Sequence, residues 1–311
     1  MTTVFLSVAS AMLFGAADFM GGTASREESS MAVTAISHLM GAVCVGVAMA
    51  VVPAVFSARA VIIGVAVGVC SGVGVSSFYV ALARGKMTAV APLTAALSAA
   101  LPLLWDLTRG AALSATSLAG VVFALIATAA VGLSSSEAAD DVGDGTSDST
   151  DVGTDTGDGT GTGTGDGDGD ERKMTPLAFM LTLVASLGFA GMYFGFAATP
   201  SDSGFWPLLA ARVTSTLTLT LATTFSKGRS LKLGRKAWPL VLGAGVLDAV
   251  ANIMVLTALR LGPFSVAVVL SSLYPVTTVL LARAILGERL KGIQRAAVAI
   301  AFASVVLAAW P

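Results

Sequence analysis

Ten stretches of this chain carry almost no charge: roughly 4–22, 31–56, 60–83, 87–105, 114–133, 175–198, 204–225, 237–259, 263–286 and 292–310. A helix that crosses a bilayer needs about 20 mostly apolar residues. Within the hydrocarbon every backbone polar group must also be satisfied internally, which leaves helices as the only open-ended solution. Each run therefore predicts a membrane-spanning helix. Composition agrees, with 12% charged residues where a soluble domain has about 25%. Mean hydropathy is +0.84. A soluble globular domain, a disulfide scaffold and a nucleic-acid-binding surface are excluded on these grounds. Most connections between runs are shorter than ten residues, so no soluble catalytic domain fits between them. Met1-Thr2-Thr3 supplies no basic leader, so the first run reads as a span rather than a signal peptide.

One segment is of opposite character. Residues 134–173 hold 12 of the 19 acids, 10 of the 34 glycines and only two bases. Their net charge is −10, while the remainder stands at +9. Without apolar content and with strong self-repulsion, such a stretch is expected to be an extended flexible tether. Its Asp166-Gly-Asp168-Gly-Asp170 alternation lacks the spacing and closing Glu of a calcium loop. No metal site is expected there. The predicted organisation is 1–133, five helices; 134–173, acidic linker; and 174–311, five helices.

The two helical parts resemble each other. A shift of 177 lays helices 3–5 on helices 8–10: Gly68 meets Gly245, Ala81-Leu82 meets Ala258-Leu259, Gly85 meets Gly262, Gly110 meets Gly287 and Leu113 meets Leu290. A shift of 174 lays helices 1–2 on helices 6–7 and puts His38 over Arg212. Because five spans is an odd number, tandem copies would face opposite ways in the membrane. The predicted fold class is thus an all-α polytopic membrane protein, ten transmembrane helices arranged as two inverted five-helix repeats. Secondary transporters share that architecture, with a site near the midplane between the halves.

The segment from Ser271 to Ala309 has a proline in the ninth span (Pro275), a Gly-Glu-Arg-Leu turn (Gly287 to Leu290) and a small-residue last helix. On these features the chain resembles the EamA-type repeat of ten-helix members of the drug/metabolite transporter superfamily. The first half departs from the pattern at its turn, Gly110-Ala111-Ala112-Leu113, which lacks the Glu. The arginine that the family carries in its second helix is His38 here, and the seventh-helix counterpart is Arg212. The resemblance implies transport of a small molecule and leaves the cargo open.

An ionisable group at mid-membrane costs roughly 2.5–3.5 kcal/mol on insertion scales, so each needs a partner or a function. Asp18 either carries protons into a cavity or pairs with Arg26 near the membrane surface. His38, the sole histidine, suits proton exchange or a packing hydrogen bond. Arg212 lies too deep to reach water easily, and Asp248 is its most economical partner. Asn252, one turn after Asp248, shares its face. The pair is either a fixed salt bridge or one that opens to substrate. Tyr79, Tyr193 and Tyr274 lie within spans and need hydrogen-bond partners there, as cavity walls would supply. Ser271 and Ser272, one turn before Pro275, line the same cavity or bond their own helix. Gly64, Gly68 and Gly72 form a smooth stripe for close helix contact. Pro92, Pro102 and Pro275 bend their helices. Asp106 and Arg109 read as a surface pair, and Cys44 and Cys70 as small fillers. Metalloprotease, CxxC, phosphate-loop and nucleophile-elbow motifs do not occur, so neither an enzyme nor a bound cofactor is expected.

Sorted by connection, twelve bases fall on the side of the linker and three (Arg59, Arg109 and Arg260) on the other. By the positive-inside bias the linker is cytoplasmic and the termini outside. The expected function is export of a small metabolite such as an amino acid across a prokaryotic plasma membrane, by alternating access and with proton exchange as the coupling these residues suit. Two alternatives stay open: a lipid-carrier or cation permease of the same fold, and a non-transporting scaffold whose acidic linker recruits a partner. The expected partners are the lipid bilayer, a small-molecule substrate and protons, with no nucleic acid. Oligomeric state is not set by the sequence.

Overall fold

The computed structural model describes residues 1–25, 27–84, 87–109, 114–140, 176–225, 231–286 and 292–309. These form α1 (Thr2–Ala24), α2 (Ser30–Val51), α3 (Ala58–Arg84), α4 (Met87–Thr108), α5 (Ala115–Asp140), α6 (Pro176–Ala197), α7 (Trp206–Phe225), α8 (Trp238–Leu261), α9 (Phe264–Ser271), α10 (Tyr274–Leu286) and α11 (Gly292–Ala309). No strand occurs among the described residues. Among the described residues, five helices are long and apolar enough to cross a membrane: Thr2–Ala24, Met31–Val51, Ala58–Val75, Phe179–Ala197 and Trp238–Leu261. Shorter apolar stretches occur in α4, α5, α9–α10 and α11. The ten apolar runs thus become ten helical passages, the ninth of them in two pieces.

Local chemistry sets several helix starts. Pro176, Pro207, Pro239 and Pro263 stand at or just before the first turns of α6, α7, α8 and α9. There a fixed φ suits the helix and the missing N–H is not needed. Ser57 caps α3 by accepting from the Ala60 N–H at 3.2 Å. The α6–α7 connection turns through Gly204 at φ +53°, where an added Cβ would run into Ala54. The α5 helix continues seven residues past the expected boundary at 133, to Asp140. Ser134 to Asp140 contains neither Gly nor Pro, and Glu137, Ala138 and Ala139 tolerate a helix well. The remainder of the expected linker lies outside the described residues, as do Arg26, Gly85 and the turns Gly110 to Leu113 and Gly287 to Leu290.

Packing joins the two halves throughout. α1 lies on α8 and α3 on α6; α2 meets α7 and α8, α3 meets α7, and α5 meets α11. In lipid, apolar burial hardly favours one helix contact over another, so close approach of small residues carries association. The glycine stripe of α3 does this. A Cβ at Gly68 would stand 2.6 Å from the Ala211 carbonyl oxygen, one at Gly72 would be 2.9 Å from Thr218 Cγ2, and one at Gly64 would strike Pro207. The α3–α7 seam therefore admits only glycine at these places. One apolar cluster joins Val45, Val67, Phe196, Leu208 and Leu256. A second joins Val4, Ala99, Val121, Val269 and Ala297.

Contacts between connections report the threading. The Val55 N–H donates to the Asp202 carbonyl at 3.0 Å. Arg260 donates to Thr199 Oγ1, the Pro200 carbonyl and Ser203 Oγ at 3.2–3.4 Å. Those groups share one end of the bundle. At the other end the Gly234 N–H donates to Glu28 Oε1 at 2.6 Å. The α2–α3 and α6–α7 connections thus lie together, apart from the α1–α2 and α7–α8 connections, as successive crossings require.

Two expectations need correction. Pro275 does more than bend its span: the helix is interrupted at Ser272 and Leu273. Proline offers no N–H to the carbonyl four residues back and its ring crowds that carbonyl. The Ser272 N–H instead serves the Val268 and Val269 carbonyls, and the Leu273 N–H serves Leu270. By contrast α4 runs unbroken through Pro92 and Pro102. Asp106 and Arg109 do not form a surface pair. Asp106 is buried and its Oδ2 accepts from the Ser265 N–H at 2.8 Å, capping α9 from another helix. The guanidinium of Arg109 lies 4.6 Å from the Trp105 ring centroid. A carboxylate leaving water gains more from the unsatisfied donors and positive end of a helix than from an exposed ion pair.

Candidate functional site

The polar residues that interrupt the apolar spans converge. Arg212 enters from α7 and Asp248 from α8, and Arg212 Nη2 lies 2.5 Å from Asp248 Oδ2. The arginine side chain is 8% exposed and the aspartate 22%, so the pair is largely removed from lipid yet not sealed on the carboxylate side. The charges touch, but Oδ2 receives no aligned hydrogen bond. The other oxygen is held. Asn252 Nδ2 donates to Asp248 Oδ1 at 3.1 Å and to the Asp248 carbonyl at 2.7 Å. The i, i+4 spacing that put Asn252 on the same face thus becomes a clamp on the carboxylate.

His38 approaches from α2. Its Nδ1 lies 2.9 Å from Ser215 Oγ, and Ser215 Oγ donates to the Arg212 carbonyl at 3.1 Å. With its single proton committed there, the hydroxyl can only accept from the imidazole. That arrangement puts the proton on Nδ1 and leaves Nε2 as the acceptor nitrogen. His38 and Arg212 are also within electrostatic reach of one another. A void of about 20 Å³ among Ser71, Arg212, Ser215 and Asn252 has room for about one water and polar groups to hold it.

Asp18 of α1 is exposed, yet its electrostatic neighbours are Asp248 of α8, Tyr193 of α6 and Tyr274 of α10. Tyr274 begins α10 directly after the interruption, and its ring meets Phe14 edge-on at 6.5 Å between centroids. Beside it Gly15 lets α10 settle on α1: a Cβ there would lie 2.6 Å from the Tyr274 carbonyl oxygen. Ser271 Oγ donates to the Ala267 carbonyl at 2.7 Å and shares a 3.0 Å hydrogen bond with Ser10 Oγ. Ser272 bonds its own helix at Val269.

Of the sequence-predicted residues, Asp18, His38, Tyr193, Arg212, Asp248, Asn252 and Tyr274 fall into one connected set. Ser271 joins α9 to α1 at its edge. Tyr79 belongs to α3, with its side chain outside the described residues. Sequence reasoning missed Ser215 and Ser10. Ser215 could have been found as the hydroxyl one turn after Arg212, whereas Ser10 has no local signal because its partner is 261 positions away.

Two close helix approaches beneath these side chains are alike. A Cβ at Gly68 would meet the Ala211 carbonyl at 2.6 Å, and one at Gly245 would meet the Ser37 carbonyl at 2.6 Å. These are the positions that shifts of 177 and 174 superpose, and the residues that follow the two carbonyls are Arg212 and His38. Gly41, aligned with Ser215, lies 3.7 Å from Arg212 Cδ when given a Cβ. Arg212 thus lies against Gly41 and His38 against Ser215, the position aligned with Gly41.

No curated protein matches this sequence. Among solved structures, one titled only as a crystal structure of a protein aligns over 99% of this chain and 96% of its own, with a TM-score of 0.70 and 14% identity. At that identity the likeness speaks for the fold. Residues 176–310 match the model of the EamA-like transporter family. With its apolar helices this is an integral membrane protein, and the match over residues 176–310 is consistent with an EamA-type member of the drug/metabolite transporter superfamily.

Proposed function

We propose that the chain is a secondary transporter built from two inverted five-helix repeats, and that it exports a small metabolite such as an amino acid across the plasma membrane by alternating access. The observation that carries this reading is the Arg212–Asp248 pair, clamped by Asn252 and flanked by His38 and Asp18, where helices of the first and second halves of the chain meet. An anion-binding cation and a proton-accepting carboxylate that hold each other closed make an exchange device. When Asp248 takes a proton its attraction for Arg212 falls, and the guanidinium becomes available to the carboxylate of an incoming substrate. Asp18, an electrostatic neighbour of Asp248, supplies a route for the proton. Tyr193 and Tyr274 offer phenol groups to the substrate's remaining polar atoms. The positive-inside bias of the connections supports a cytoplasmic linker.

Uptake of radiolabelled amino acids into proteoliposomes, with an imposed proton gradient, tests the assignment. Asp248→Asn and Arg212→Ala are each expected to abolish coupled transport, and Asp18→Asn to uncouple it from the gradient. If Asp248→Asn and Arg212→Ala both transport as the unaltered protein does, the site is wrongly assigned.

A further inference from the structure

A hollow at the surface of the described residues lies away from the polar set. It is a groove of about 490 Å³ between α4 and α6, walled by Leu101, Leu104, Trp105 and Thr108 on one side and by residues from Leu187 to Phe194 on the other. Its walls face outward, with Leu104 56% and Leu187 60% exposed, so in a membrane protein it faces acyl chains. Four residues of each helix take part, spread over eight positions, which at a 1.5 Å rise makes the groove about 12 Å long.

One end of the groove is unlike the rest. Trp105 stands there with its ring edge-on to Phe194, 5.6 Å between centroids, and the guanidinium of Arg109 lies over that ring. Arg109 follows the last turn of α4, where the chain leaves the apolar layer, and Trp at such a level marks the headgroup boundary. The nearest acid in its own helix, Asp106, is engaged by the Ser265 N–H. A fixed cation at headgroup depth, set on an aromatic platform above an apolar trough, complements one kind of molecule: a phosphate joined to a hydrocarbon chain.

We propose that α4 and α6 bind a phospholipid, one acyl chain in the groove and its phosphate on Arg109. The site belongs to the leaflet into which α4 ends. Because α4 and α6 come from different halves of the chain, the lipid fills the seam between them. The assignment does not depend on what the protein transports.

The test is native mass spectrometry of the purified full-length chain with three probes: phosphatidylglycerol, diacylglycerol, which lacks the phosphate, and glycerol 3-phosphate, which lacks the chains. The unaltered protein is expected to retain phosphatidylglycerol best. Arg109→Ala should lower its retention about tenfold, as loss of a charge-assisted contact does, and leave diacylglycerol unchanged. Leu104→Trp, which fills the trough, should lower both lipids. Val122→Trp, an equally bulky change on the exposed face of α5, should lower neither. The proposal is overturned if Arg109→Ala and Leu104→Trp retain phosphatidylglycerol like the unaltered chain, if glycerol 3-phosphate binds as well as the lipid, or if Val122→Trp weakens retention as much as Leu104→Trp.

Discussion

The α2–α8 and α3–α7 crossings are alike in one close approach and different in what stands beside it. In each a glycine, Gly245 or Gly68, presses on a carbonyl of the facing helix, and in each the next residue projects an unusual side chain. One crossing supplies His38, bonded to a serine hydroxyl. The other supplies Arg212, paired with Asp248. Where the second half has Asp248, the first has Ser71. The two crossings thus share a close glycine–carbonyl approach but not the charge. Close packing demands a glycine at each crossing, while the side chains beside it differ in charge.

The largest expected effects come from making the charged crossing incomplete. Arg212→Ala leaves Asp248 without its cation and should cost about 3–5 kcal/mol, as loss of one partner of a buried pair does, measured by reversible unfolding in mixed micelles. Replacing both partners, with Arg212→Met and Asp248→Leu, should return most of that stability while leaving transport absent. Recovery of transport in the double variant would mean that the pair serves only the fold.

Next come the glycines of the joint. Gly68→Ala and Gly245→Ala each force a methyl group toward a backbone carbonyl that cannot yield, and each should destabilise by about 1–3 kcal/mol. Their costs should agree closely, because the geometry does. A cost at one site and none at the other would break the comparison.

A third effect concerns a bond that crosses between helices far apart in the chain. Asp106→Ala removes the cap of α9 and should cost about 0.5–2 kcal/mol, with hydrogen exchange rising first in Phe264–Ser271. The smallest effect should be at the uncharged crossing, where Ser215→Ala removes one hydrogen bond from His38, worth about 0.5–1.5 kcal/mol. A loss as large as that of Arg212→Ala would show that histidine carries more than packing.

What could be read in the sequence follows from the range of the physics involved. Spans are local: an apolar run long enough to cross is visible in the letters, and ten such runs became ten helical passages. The Arg212–Asp248 pair was legible by elimination, because low dielectric leaves each charge few partners. Asp106 was misread because Arg109 lies at ideal helical spacing, while its actual donor is 159 positions away. The interruption of the ninth span was only half legible. Pro275 marks it, yet Pro92 and Pro102 carry the same mark within an unbroken α4. Whether a proline cuts a helix or merely sits in it depends on what neighbouring helices offer the displaced carbonyls, and that is tertiary information.

Because the ninth crossing is severed at Ser272 and Leu273, its two pieces answer to different anchors. The upstream piece is tied at its start by Asp106 and near its end by Ser10, whereas the downstream piece leans on Gly15 and carries Tyr274 at its head. A tilt imposed on either one need not be inherited by the other. The ring at the joint can swing with the lower rod while the upper rod stays moored, which gives this passage the freedom of an elbow where its neighbours have that of a beam.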